Sequence, residues 1–357
     1  MGRLEIRRAS LNDLNDLTRL MREADERPYT TSDVQRILHN LNEDRFVAWI
    51  AYADSFPCGI TMLERKTLRW RNCDLHSGFW VNLYVRPSMR QTRLFVKMVM
   101  TMFQAAPALG FDLLYAATRR SQVAEANIAL GMTEVGRIPL YGCILRPGRL
   151  LAKYRRLGVY LRPICYIADC IYYPVVYLRD ISWQHNATIA QCDWIDEGLH
   201  DVTTLRDYIS RDCVYTPLNS QQYKDRFDVA PDRGYYELLT SRCNGTLRGA
   251  IAWRMAERGP SIRAGIVMDV VPSSEDFDHF KALFRTIHQR ARNNGAEIVL
   301  ALPGWGSSAE TYLQELGYRR MPEQYVVMMR PIKNLPADFP VNDIRKWRYT
   351  FADNDAF

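Results

Sequence analysis

Among the 357 residues of this chain, the stretch with the most chemistry in it is Val81–Lys97, VNLYVRPSMRQTRLFVK. Branched and aromatic residues lead into Pro87, and a helical pattern is predicted over Gln91–Phe103, so strand, basic turn and helix follow one another. A helix start presents backbone N–H groups without intrahelical partners and the positive end of the helix dipole, which suits a diphosphate. Arg86, Arg90 and Arg93 add side-chain charge there. A second signal is Asp269, centred in the apolar run IVMDVV, where a carboxylate needs a partner. It reads as a candidate general base, or equally as a carboxylate held by backbone N–H groups or arginine; His76 is a weaker candidate base. Tyr84 and Tyr141 could each donate a proton to a leaving group, although a half-buried strand tyrosine is the commoner use of such residues. Met98, Met100 and Met102 read as core packing.

Composition narrows the classes. With 47% hydrophobic and 24% charged residues the chain can bury more than one core, so two domains are expected and disorder is not. The eight cysteines form no C-x-x-C pair and the six histidines no H-E-x-x-H pattern, so reduced thiols and no metal are expected. The opening MGRLEIRRASLNDL has no apolar core, so a cytoplasmic location is expected. Residues 1–180 hold 26 Lys/Arg against 17 Asp/Glu, whereas residues 181–357 hold 21 against 23. That asymmetry gives the first half an anionic partner: a phosphorylated cofactor, a membrane surface or nucleic acid.

The elements that must position these residues recur. In the first half, a strand and a helix marked by Ser10 and Asp13 precede strands at Phe46–Tyr52, Gly59–Leu63 and Phe79–Val85; the Gln91 helix, a strand at Phe111–Ala117 and a helix ending at Gly131-Met132 follow. In the second, Tyr235–Ser241 and Leu247–Met255 flank an Asn244-Gly245 hairpin turn. Strand Ile262–Val271, helix Phe277–Asn293, strand Glu297–Leu302, helix Ala309–Leu316 closed by Gly317-Tyr318, and strand Gln324–Met329 complete it. The shared order argues for duplication of one α/β unit with a mixed sheet. The expected bounds are 1–149 and 188–335, a connector over 150–187 and a tail over 336–357. The Tyr- and Ile-rich connector is too interrupted, by Asp169 and Pro174, to span a bilayer. It reads as a helix packed in an interdomain core, or else as an interfacial segment with tyrosines at headgroup level and Arg149, Lys153, Arg155, Arg156 and Arg162 facing anionic lipid.

The Val81–Lys97 stretch resembles the acyl-CoA site of the GNAT (GCN5-related) N-acyltransferases, in which a strand and a Q/R-x-x-G-x-G/A turn hold pantetheine and pyrophosphate. Arg90 matches the first position, and Arg93 and Phe95 stand where the family has small residues. Phe111–Gly136 is similar to the family's next strand, turn and helix; Asn127 occupies the place of the frequent general-acid tyrosine, and Leu313 its place in the second copy. The resemblance covers most of the chain and implies two tandem GNAT-like domains, the first binding acyl-CoA through Leu83, Val85, Arg86, Arg90, Gln91, Thr92, Arg93, Leu94, Phe95 and Asn127. After Val271-Pro272 the second copy turns acidic, SSEDFD, which implies an acceptor-binding or scaffolding role; Arg211, Asp212, Tyr215, Tyr223 and Arg226 are its candidate substrate residues. The tail WRYTFADND, with Trp347, Thr350, Asp353 and Asp355, echoes tandem GNAT proteins of bacterial polysaccharide and envelope-lipid biosynthesis.

The activity this implies is transfer of an acyl group from acetyl-CoA or a longer acyl-CoA to a primary amine on an amino sugar or a lipid such as a sphingoid base. No metal and no DNA partner are expected, and the interfacial reading of the connector would add peripheral contact with an anionic inner membrane. A Fem-like aminoacyl transferase using aminoacyl-tRNA would also pair two such units, and the basic first half permits it, but no coiled-coil arm is visible. The missing glycines and tyrosine would also fit a degenerate pair acting as a scaffold.

Overall fold

The computed structural model describes residues 3–24, 45–155, 162–182, 188–192, 198–227, 236–258, 261–272, 277–306 and 308–353. The chain begins β1 (Leu4–Arg8), α1 (Leu14–Ala24), β2 (Phe46–Ala53), β3 (Phe56–Trp70), β4 (Cys73–Val85), α2 (Leu94–Ala105), β5 (Leu113–Thr118), α3 (Ser121–Ala129) and β6 (Thr133–Ile144). It continues α4 (Pro147–Tyr154), α5 (Arg162–Ser182), β7 (Thr188–Cys192), α6 (Gly198–Ser210), α7 (Ser220–Phe227), β8 (Tyr236–Cys243) and β9 (Thr246–Arg258). The last elements are β10 (Ile262–Pro272), α8 (Phe277–Asn293), β11 (Ile298–Ala301), α9 (Ala309–Glu315) and β12 (Arg319–Pro331).

These elements form two compact units, Met1–Arg137 with Tyr325–Ile344, and Ile138–Gln324 with Arg345–Phe357. The strand order is β1-β2-β3-β4-β5-β12 in the first and β6-β11-β10-β9-β8-β7 in the second. Each sheet is thus closed by a strand from the other half of the sequence: Val326–Pro331 runs antiparallel to β5, and Tyr141–Ile144 antiparallel to β11. Continuous bounds at 149 and 335 do not describe this exchange, which no local pattern encodes and which gives β5 and β11 a partner on a side that would otherwise be an open edge.

In the first unit, alternation along β2 divides the core. Ala48 and Ile50 face α1 through Leu17, Leu20 and Met21, while Val47 and Trp49 face α2 through Val99, Met102 and Phe103. The second unit packs α8 in the same way, with Phe280, Leu283, Phe284 and Ile287 against Leu239, Ile251, Trp253, Val267 and Val270. Both closing helices end on a left-handed glycine. Gly131 (φ 98°) lets Met132 N–H reach Asn127 O (3.1 Å), and Gly317 (φ 79°) lets Tyr318 N–H reach Leu313 O (2.9 Å). The connector is two helices within the second unit, and among the described side chains of α5 only Cys165 and Val176 are buried, with Tyr172 leaning on the core. Much of the described surface of α5 is exposed, which a helix packed in an interdomain core, one of the two sequence expectations, would not leave.

Candidate functional site

In the first unit β4 and β5 pair in parallel at three positions only, Ser77–Phe79 with Leu113–Tyr115. Two residues beyond Phe79, the ladder to β3 skips Val81, a bulge that bends the strand. From Trp80 to Val85, β4 keeps β3 on one side and has no described strand on the other, while β5 stays paired to β12 as far as Thr118. Arg86 N–H donates to Cys58 O (2.9 Å). Antiparallel alternation then turns Asn82 and Tyr84 toward β3 with their backbone groups, and Leu83 and Val85 toward the opening. The result is a short row of peptide groups that no described strand pairs with, at a splayed pair of strands.

The basic turn lies directly past that row. Pro87–Thr92 forms a 3-10 turn and α2 starts after Arg93, whose backbone is left-handed (φ 58°, ψ 19°). Glycine adopts that conformation without cost and arginine does not. Lys97 N–H is the first to bond back along α2, to Arg93 O (3.1 Å), so the N–H groups of Leu94, Phe95 and Val96 have no partner within the helix. Arg90 and Arg93 are exposed, and Arg90 Nε donates to Val85 O (3.3 Å). Arg86 donates twice to Glu23 at the end of α1, Nε to Oε2 (2.8 Å) and Nη2 to Oε1 (2.5 Å), and Tyr84 Oη lies 3.5 Å from Glu23 Oε2. Burial, and then the Glu23 carboxylate, push the Tyr84 phenol up; the Arg86 hydrogen bonds hold Glu23 below the usual carboxylate range. At these displacements Tyr84 stays protonated and Glu23 ionised at neutral pH. On α3, Asn127 is buried and its Oδ1 has no hydrogen-bond partner.

No protein-family model matches the chain, and no curated protein matches it in sequence. Solved structures do match. N-myristoyltransferase of Saccharomyces cerevisiae, crystallised with bound myristoyl-CoA, superposes with a TM-score of 0.65 at 12% identity, over 99% of this chain and 89% of that one. A GCN5-related N-acetyltransferase from Anabaena variabilis gives 0.63 at 10% identity, over 93% and 73% of the two chains. A probable N-acyltransferase from Enterococcus faecalis gives 0.65 at 10% identity with the same coverage. The fold is that of the GNAT acyltransferases.

The second unit of this GNAT fold repeats the construction. β10 and β11 pair in parallel at Ala264–Ile266 with Ile298–Leu300, and the ladder to β9 skips Met268, again two residues on. Counted from the bulge, Asp269 stands where the first unit has Asn82, and Val270 where it has Leu83. Here the opening is closed. Arg348 Nη2 donates to Asp269 Oδ1 (2.8 Å) and to Val270 O (2.5 Å), Arg206 Nε donates to Asp269 Oδ2 (3.0 Å), and Val270 N–H donates to Asp269 Oδ1 (3.0 Å). Tyr223 Oη donates to Oδ2 as well (3.3 Å). The C-terminal segment that carries Arg348 also grips the chain after β11, since Tyr349 N–H donates to Gly304 O (2.7 Å). A methyl group added at Gly304 would stand 1.7 Å from Tyr349 O, so only glycine admits that approach. Trp347, Thr350 and Asp353 are buried, with Thr350 N–H bonded to Asp353 Oδ2 (2.8 Å); Asp355 lies outside the described residues, as does Ser273–Asp276 of the acidic turn. Burial would raise the Asp269 carboxyl, but the charges of Arg348 and Arg206 outweigh it and hold the group below its ordinary value.

The other sequence-derived candidates scatter. His76 is exposed near the opposite end of β4, its N–H on Asp112 Oδ2 (2.7 Å). Tyr141 is buried in the second unit, donating to Glu310 Oε2 (3.2 Å) and accepting from Gln314 Nε2 (3.2 Å). Gln91 is exposed, Thr92 Oγ1 donates to Met89 O (2.7 Å), Leu94 is buried in the core, and Phe95 leans half-buried on the clusters that hold Val85 and Trp80. Arg211 and Asp212 are exposed, with the Arg211 guanidinium over the Tyr208 ring at 4.4 Å; Tyr215 is buried and Arg226 half-buried. Of these five, Tyr223 is brought to Asp269. Sequence reasoning missed Glu23, Asn82 and Arg348. Counting from the bulge finds Asn82; nothing local separates Glu23 from its acidic neighbours. Among the described residues no group of three or more acidic, histidine or cysteine side chains could hold a metal.

Proposed function

We propose that the chain is an acyl-CoA-dependent N-acyltransferase whose donor lies in the first unit, with its pantetheine arm along Leu83–Val85 and its diphosphate at the α2 start. The observation that supports this most is the parting of β4 from β5 at Phe79, which leaves the Leu83 and Val85 peptides facing an opening that leads to Arg90 and Arg93. Peptide N–H groups there would receive the thioester oxygen as it gains negative charge. Leu94, Phe95 and Val96 would offer amides to phosphate, while Arg86 is engaged by Glu23 and acts on the wall of the site. Tyr84, kept protonated, is the donor we assign to the leaving thiolate, and we assign the Asn127 amide to the pantetheine arm. Glu23 orients Tyr84 and Arg86. Asp269, with four donors on it, is assigned to the stability of the second unit and not to proton transfer.

The acceptor we favour is a primary amine of an envelope intermediate, an amino sugar or a long-chain lipid amine such as a sphingoid base; the apolar face of α5 supports the lipid, which would bring the enzyme to a bilayer. Isothermal titration with acetyl-CoA and palmitoyl-CoA, followed by thiol release with glucosamine and with sphinganine, tests the reading. Binding of at least one thioester and release with one amine is expected, and binding of neither thioester would refute it.

A further inference from the structure

The outer surface of α5 has no place in the reaction and is unusual for a helix in water. Ile164, Ile167, Ile171, Val175 and Leu178 are all exposed, Ile171 by 71% and Leu178 by 65%. At 3.6 residues per turn they form one stripe, and Tyr166, Tyr173 and Tyr177, also exposed, form a second beside it. Cys165 and Val176 lie on the remaining side, against the body of the second unit. Between Arg162 and Arg179 the one residue charged at neutral pH is Asp169. Its carboxylate is turned inward, accepting from Gly148 N–H (2.7 Å) at the start of α4. Of α5's own residues, an arc of roughly 200° therefore carries apolar and phenolic groups and no charge, with the Arg149 and Arg292 guanidinium groups lying over the Tyr166 and Tyr173 rings from outside the helix; that is far more than the seam of about 100° that one packed helix needs.

We propose that this face lies in the headgroup region of an anionic lipid bilayer, with α5 in the membrane plane, the aliphatic stripe toward the acyl chains and the tyrosines along the interface. Three observations choose lipid over a second copy of the chain. The arc is too broad for a helix pair, whereas an in-plane helix buries such a face. The tyrosines are amphipathic groups of the kind that collect at the water boundary. Residues 147–182 hold six Lys/Arg against two Asp/Glu, and among them Arg155, just past the end of α4, is exposed. Two copies meeting through this face would set like charges together, while a surface of phosphatidylglycerol complements them. Described helices include none long and apolar enough to cross a membrane, so the contact is peripheral.

The inference does not depend on the reaction catalysed. Its test is sedimentation of the full-length protein with vesicles of phosphatidylcholine containing about 30 mol % phosphatidylglycerol, and with phosphatidylcholine alone. Wild type should pellet with the anionic vesicles and less so at high salt. An Ile167→Glu/Ile171→Glu variant, whose side chains touch little protein, should keep its circular dichroism and melting temperature yet lose binding by about tenfold or more. Failure of wild type to pellet with either vesicle overturns the proposal. So does a lipid-free dimer in sedimentation equilibrium that the variant dissociates while vesicle binding persists, which would make the face a protein interface.

Discussion

In the first unit the strand beyond the bulge carries Asn82 and Leu83 past a partner that has turned away, and nothing described closes the gap. In the second, the same two positions are Asp269 and Val270, and Arg348, Arg206 and Tyr223 converge on them with the C-terminal segment stitched to Gly304. The closing helices differ in the same sense, with a polar Asn127 whose Oδ1 has no partner in one and a Leu313 packed in the core of the other. One backbone device, a short parallel pairing followed by a bulge, can thus expose peptide groups for a ligand or bury them behind a salt-bridged plug. What decides between the two is which side chains sit one residue past the bulge and whether a later segment can reach them.

The largest expected effect is on the closed side. Asp269→Asn leaves two buried guanidinium groups without their counter-charge and should cost about 3–5 kcal/mol in urea denaturation. Asn82→Ala at the matching open position should stay within about 1 kcal/mol. Next comes ligand binding. The Arg90→Ala/Arg93→Ala pair should weaken the acyl-CoA Kd by about 10–100-fold in calorimetry, as expected for one or two charge-assisted contacts.

Asn127→Leu, which copies the second unit, should raise stability by about 1 kcal/mol because it removes an unpartnered buried acceptor, and should slow thiol release. A gain in stability with unchanged turnover would remove Asn127 from the site. Arg93→Gly relieves the left-handed backbone but loosens the unfolded chain, so its melting shift should correspond to less than about 1 kcal/mol, in the stabilising direction.

The smallest effect concerns pH. Glu23 is shifted down and so ionised above its ordinary value of about 4.3, and Tyr84 is shifted up and so protonated below about 10. Neither should titrate between about pH 5 and 9, and any rise of rate in that window should follow the pKa of the amine supplied. A rate profile that keeps one midpoint when the acceptor is exchanged would contradict that assignment. By the same sign, the depressed carboxyl of Asp269 contributes stability throughout that range and loses it as the pH falls below the ordinary carboxylate value.

Much of the architecture was legible because it is local. Helix Phe277–Asn293 appears with its expected bounds, strand β2 extends one residue past the expected Tyr52, and the Asn244-Gly245 turn has the two left-handed residues a tight hairpin needs (φ 50° and 79°). The matching turn of the first unit is Asp54-Ser55 (φ 48° and 68°), which carries no glycine to announce it. The β3–β4 ladder runs out to Trp70 and Cys73, beyond the expected Leu63 and Phe79, because its far end is rich in polar residues and offers no apolar period. The exchange of β6 and β12 depends on pairings far apart in sequence, Ile144 with Ile298 and Thr118 with Val326. At the site, the arginine turn and the Leu83–Val85 stretch could be read from strand, proline and helix; the Arg348–Asp269 pair could not, since 79 residues separate its partners.

The measurement closest to the central claim is a crystal structure with a non-hydrolysable acyl-CoA thioester analogue. Pantetheine density beside Trp80–Val85, with peptide hydrogen bonds from Leu83 or Val85 and phosphate at the start of α2, is the expected result. An empty opening in the first unit, or the analogue bound along β10 with the C-terminal segment displaced, would contradict the account.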